Sequence, residues 1–90
     1  MSPDPMLTWF TVYEGEQGES KTVAAGSRAS SVLNRFDAAA KSGMVRGRAV
    51  RRMWLVDGDT EQGDVIKCHG IVAPKILARY VAYLAKTANN

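Results

Sequence analysis

Four arginines, Arg46, Arg48, Arg51 and Arg52, fall between Lys41 and Trp54. A planar guanidinium fork matches phosphate or carboxylate oxygens in two-point geometry, and a neighbouring indole can stack on a base or on a guanidinium. In a strand, alternation places Arg46, Arg48, Arg52 and Trp54 on one face, and Ala49, Arg51, Met53 and Leu55 on the other. The second set is the more natural core face. The first is therefore expected outward, as a cationic ridge with an aromatic at its end. If four guanidiniums met phosphates, log affinity would fall with log salt at a slope of about −3 to −4. The alternative use of these arginines is internal pairing with Asp57, Asp59, Glu61 or Glu16.

The charge pattern of the chain points the same way. Net charge is +3 over 90 residues, but it is segregated. Asp4, Glu14, Glu16 and Glu19 against Lys21 make the first 27 residues acidic. Arg28, Arg35, Lys41 and the four arginines then face Asp37 alone up to residue 56. Asp57, Asp59, Glu61 and Asp64 form a second acidic stretch, and Lys67, Lys75, Arg79 and Lys86 a second basic one. A basic middle between acidic turns is compatible with an anion-binding surface, and equally with internal pairing between the segments.

Other constellations carry less. In the turn Asp57-Gly-Asp59-Thr-Glu61-Gln62-Gly63-Asp64, a calcium loop counted from Asp57 would need Gly at position 6 and a bidentate Glu at position 12. Those positions hold Gln62 and Cys68, so the segment reads as a hairpin turn. Cys68 and His69 are adjacent, and on a strand they point to opposite faces, which forbids a thiol–imidazole pair. Ser27, Ser30 and Ser31 have no partner fixed by spacing. Gly15-x-x-Gly18 and Gly43-x-x-x-Gly47 lack the Lys-Ser/Thr ending of a phosphate loop. One Cys and one His exclude a disulfide framework and an ordinary structural zinc site within one chain. No catalysis, cofactor or metal is expected. Trp9 and Tyr13 share a strand face and are a candidate aromatic contact for a partner.

The elements that would position these residues follow from periodicity. Residues 1–6 read as an extended leader. Leu7–Glu14 is rich in β-branched and aromatic residues and reads as a strand with large side chains on both faces. After the turn Glu14–Gly18, Ser20–Ala24 returns as a weaker strand. Ser27 is placed to cap a helix whose apolar stripe is Ala29, Val32, Leu33, Phe36, Ala39 and Ala40. Lys41 lies in its last turn and Gly43 is the left-handed stop. Arg48–Val56 and Asp64–Val72 read as a second hairpin. Pro74 starts a second helix, Pro74–Lys86, with Ile76, Leu77, Tyr80, Val81 and Leu84 as a core stripe. Residues 88–90 are expected to fray. The order β-β-α-β-β-α predicts a two-layer α+β domain over residues 7–87, a small antiparallel sheet with both helices on one face.

With 46% hydrophobic and 23% charged residues the composition is that of an ordinary globular domain. A chain this short removes only roughly 60–65% of its unfolded surface from water, so stability is modest or shared with a partner. No apolar run approaches the roughly 20 residues of a membrane span, and the first ten residues hold no Lys or Arg, so a cytoplasmic protein is expected. The helix at Ser27–Lys41 after a hairpin resembles the opening of a ubiquitin-like β-grasp domain, from which the closing helix departs. The open sheet resembles RNA-recognition domains without their aromatic-glycine signature. No motif specifies a family. The expected function is a small non-enzymatic binding protein that contacts DNA or RNA phosphates through Arg46, Arg48, Arg51 and Arg52, with Trp54 and Lys41 assisting. The alternative is a protein–protein module, a regulator, adaptor or inhibitor that docks on an acidic or nucleic-acid-binding protein. A homodimer through an open sheet edge or face is a further expectation.

Overall fold

A computed structural model of the chain describes residues 9–15, 17–26 and 28–88. The elements are β1 (Trp9–Gly15), β2 (Ser20–Gly26), α1 (Ala29–Ser42), β3 (Met44–Val45), β4 (Arg48–Asp57), β5 (Asp64–His69) and α2 (Pro74–Ala88). They form a small α+β domain with a curled antiparallel sheet and two helices. β1 lies between β2 and β4, while β3 and β5 pair with different stretches of β4. The two-residue β3 is an addition to the predicted order. The expected leader and Ser27 lie outside the described residues.

Helix α1 follows its periodicity. Val32, Phe36 and Ala39 are buried at i, i+4 and i+7, and Ala29, Leu33 and Ala40 are half-buried beside them. Arg28 occupies the N-cap position with extended backbone and no side-chain cap. Gly43 ends the helix at φ 74°, its N–H donating to the Ala39 carbonyl at 2.8 Å. Only a residue that tolerates the left-handed region makes this stop at low cost.

The helices do not share a face. Val32, Phe36 and Ala39 of α1 pack on Tyr13, Val45, Val50, Met53 and Leu55. Ile76 of α2, with Val72, packs on Val12, Trp54, Val56 and Val65. These are alternate residues of β1 and β4, so the two clusters lie on opposite sides of the sheet. The predicted one-sided, two-layer packing is thereby corrected. The physical reason is that β1 and β4 carry large apolar side chains on both faces, and each face needs its own cover.

Three register shifts curl the sheet, and one matters most. Glu14 pairs with Arg52 and Gly15 with Val50, which leaves Arg51 unopposed on β1. This β-bulge reverses the alternation along β4. Val50 consequently faces α1 together with Met53 and Leu55. Gly70, at φ 81°, turns the chain after β5, so that strand ends at His69 rather than Val72. In the β4–β5 turn the Asp59 carboxylate accepts the N–H groups of Glu61 at 2.9 Å and Gln62 at 2.8 Å. That arrangement is an Asx turn. α2 continues to Ala88, with the Thr87 hydroxyl bonded to the Tyr83 and Leu84 carbonyls at 3.1 Å. Among the described residues no helix is long and apolar enough to cross a membrane.

Candidate functional site

The bulge at Arg51 divides the anticipated ridge. Val45 pairs with Arg48, so Arg48 belongs to the α1 side of the sheet, whereas Arg52 and Trp54 belong to the α2 side. Trp54 is buried, 7% exposed, among Val12, Val56, Val65 and Ile76. Arg52 pairs with the Glu14 carboxylate and reaches the Ile71 carbonyl at 3.4 Å. Arg46, Arg48, Arg51 and Lys41 are exposed, and none of them is paired with a described carboxylate. The expected single ridge with an aromatic end is therefore not formed: a one-residue insertion in register reverses every side chain beyond it.

Trp9 and Tyr13 do share a face, as alternation requires, but α1 covers it. Tyr13 is 5% exposed and Trp9 is half-buried against the same cluster. Among the described residues a helix packs on each side of β1 and β4, so this face does not display the pair. Cys68 packs with the α2-side cluster, while His69 pairs with Met53 of the α1 side. They point apart, as their adjacency dictated. Burial pushes the Cys68 thiol above its ordinary pKa, which favours the neutral form.

A second feature brings basic and apolar groups together. The β3–β4 connection is a two-residue turn, with Arg46 at φ 50° and Gly47 at φ 79°. Both central residues of such a turn must be left-handed, and an Arg there costs about 1 kcal/mol more than a Gly. The turn leans toward α1 and closes a groove of about 420 Å³ between α1 and the sheet. Ala38, Ala39, Val23 and Val45 supply apolar lining, and Arg35 and Arg46 supply cations. Met44, 48% exposed, also lines it.

Thr11 lines the same groove. It is 2% exposed, and its hydroxyl has no hydrogen-bond partner among the described residues. A buried hydroxyl left unpaired costs roughly 1–3 kcal/mol. Ser42 is held at the groove wall by the β3 backbone, its Oγ donating to the Met44 carbonyl at 3.0 Å and accepting the Met44 N–H at 3.2 Å. Of the residues singled out from the sequence, only Arg46 lines this groove. Arg35 was counted only in the basic middle stretch, and Thr11 and Met44 were missed. The spacing Arg35, Ala38, Ala39, Ser42 is a helical i, i+3, i+4, i+7 row beside the core stripe, and that row was the available signal.

No family model, curated protein or solved structure matches this chain.

Proposed function

We propose that this chain is a small non-enzymatic protein-interaction module whose groove between α1 and β3 takes an acidic, partly apolar segment of a larger protein. The observation that carries the reading is the meeting in one groove of apolar walls, two guanidiniums and a buried hydroxyl with no partner among the described residues. Arg and Met are enriched at the cores of protein interfaces, and an apolar wall suits a peptide better than a bare phosphate chain. Docking through Arg35, Arg46 and Met44 fits a regulator, adaptor or inhibitor of a larger assembly, and a cytoplasmic setting suits the free thiol of Cys68. The chemistry asked of the protein is recognition: Cys68 and His69 point apart, and the Asp59 carboxylate is engaged by its own turn.

A second reading is supported by Lys41, Arg46, Arg48 and Arg51, exposed and without a described carboxylate partner. It keeps nucleic-acid phosphates as the ligand and drops Trp54. The test is fluorescence anisotropy with two probes, a labelled peptide of alternating Glu and Leu and a short labelled DNA duplex, each at two salt concentrations. The interaction-module reading expects peptide binding that weakens at least roughly tenfold in Arg35→Ala and Arg46→Ala, the cost of a lost interfacial cation. Duplex binding that is lost with Arg48→Ala and Arg51→Ala, together with no peptide binding, replaces it by the second reading.

A further inference from the structure

We infer that the α2 side of the sheet holds a second, separate binding site, which takes a small aromatic anion. It is independent of the groove beside α1, which lies on the other face. The starting observation is a cavity of about 630 Å³, larger than that groove and within the roughly 300–1,000 Å³ of small-molecule pockets. Its walls come from three elements: residues 20–22 of β2, Thr60 and Glu61 of the β4–β5 turn, and the start of α2.

The floor of this cavity is apolar. Val12, Trp54 and Ile76 line it, and each is only 7% exposed. All three belong to the cluster that α2 closes over. An indole between two aliphatic side chains suits a ring, which gains by contact with the indole and by leaving water.

The walls select the charge of the ligand. Lys75 and Arg79 stand there against one carboxylate, Glu61, which leaves an excess of one positive charge. Lys21 also borders the cavity, but its register partner Tyr13 packs against α1, so Lys21 belongs to the far face and is not counted. Arg79 is anchored by its Nη2, which donates to the carbonyls of Thr60 at 3.1 Å and Gly63 at 2.7 Å. Its Nε and Nη1 have no hydrogen bond among the described residues. A guanidinium already fixed in this way meets an anion with little further loss of side-chain freedom.

Lys75 is exposed and has no carboxylate partner among the described residues. It stands in the first turn of α2, which holds no acidic residue. The positive end of the helix dipole and the ammonium therefore act on the cavity with one sign. Thr22, the register partner of Val12, brings a hydroxyl to the same face. An inorganic ion would leave the apolar floor bare, and a neutral ring would leave both cations unused. A ring that carries an acid group uses floor and walls together.

Trp54 is the reporter for the test. The chain has two tryptophans, and Trp9 packs on the α1 side, so in a Trp9→Phe background the emission reads this cavity alone. The probes are phenylacetate and phenyl phosphate, with benzyl alcohol as a ring without charge and inorganic phosphate as a charge without a ring. Isothermal titration of the parent protein repeats the series without the substitution. The expected result is saturable binding of at least one aryl anion, at least about tenfold tighter than benzyl alcohol or phosphate, as a charge-assisted hydrogen bond provides. The tighter of the two names the acid group. Binding should weaken about twofold to fivefold in Lys75→Ala, whose exposed side chain leaves the melting temperature unchanged, and about tenfold in Arg79→Gln. No saturable binding of either aryl anion, benzyl alcohol binding as tightly as they do, or Lys75→Ala and Arg79→Gln both without effect overturns the proposal.

Discussion

Glu14 and Arg52 face each other across β1 and β4 as register partners, and their side chains form an ion pair on the side of the sheet opposite α1. The pair is partly shielded, with side chains 14% and 34% exposed respectively. It removes Arg52 from the cations open to a partner. Glu14→Gln should lower stability by about 1 kcal/mol, between the values for exposed and buried pairs, as read from the urea midpoint. The same variant should leave binding of the acidic peptide unchanged, because Arg52 does not line the groove.

Thr11→Val separates folding from recognition. Valine keeps the shape and removes a buried hydroxyl that has no partner among the described residues, so stability should rise by about 1 kcal/mol. If the groove binds a polar group through that hydroxyl, affinity for the peptide should fall in the same protein. Denaturation and anisotropy measured on one preparation give both numbers.

A comparable opposition is expected at Arg46. Its left-handed backbone is one that Asn adopts more readily, so Arg46→Asn should stabilise the hairpin by a few tenths of a kcal/mol up to about 1. Peptide binding should weaken at the same time. A variant that gains neither stability nor loses affinity would show that the turn was not the site of this trade.

Gly70→Ala should be severe. The residue sits at φ 81°, and a Cβ there would collide with the Arg51 carbonyl oxygen, which is backbone and cannot swing aside. A loss of about 2–3 kcal/mol is expected from the combined clash and backbone strain, measurable by thermal melting. Gly58→Ala is the useful contrast, since its φ is 95° but nothing crowds the added methyl. That variant should lose less.

Cys68 gives a prediction in pH. Burial raises its thiol pKa, so the folded state favours the protonated form. The stabilisation this provides is complete below the ordinary thiol pKa and is lost as pH rises through the raised one. Alkylation by iodoacetamide should accordingly begin at higher pH in the folded chain than in urea, because the thiolate is the reactive species. Coincident pH profiles in the two conditions would contradict the shift.

The contrast between what could and could not be read from the residues has a physical basis. The row Val32, Phe36, Ala39 and the stop at Gly43 are local: they depend on neighbours within two turns, and α1 appears where they put it. The same holds for Pro74 at the start of α2 and for the opposed directions of Cys68 and His69. Side-chain alternation failed along β4 because the bulge at Arg51 is set by register with β1, more than thirty residues away, and no nearby residue announces it. The choice of face for each helix is likewise tertiary. Trp9 and Tyr13 on one side of β1, with Phe10 and Val12 on the other, already demanded two covers, and that demand was the legible part. The α2 stripe expected as core was not legible in full: Ile76 is buried, but Leu77, Val81 and Leu84 are exposed, since five apolar residues around a helix do not say how wide the sheet beneath them is.

β4 is the strand that β1, β3 and β5 all join, and it is also where the two hydrophobic clusters touch, through Met53 and Leu55 on one side and Trp54 and Val56 on the other. Its peptide units are thus common property of both halves of the interior. Neither half can melt while the other stays intact, so amide hydrogens along Met53–Val56 should exchange only by global opening. A ligand seated beside α1 would then slow exchange under α2 as well, and the molecule would report occupancy of one side from the other without any change of shape.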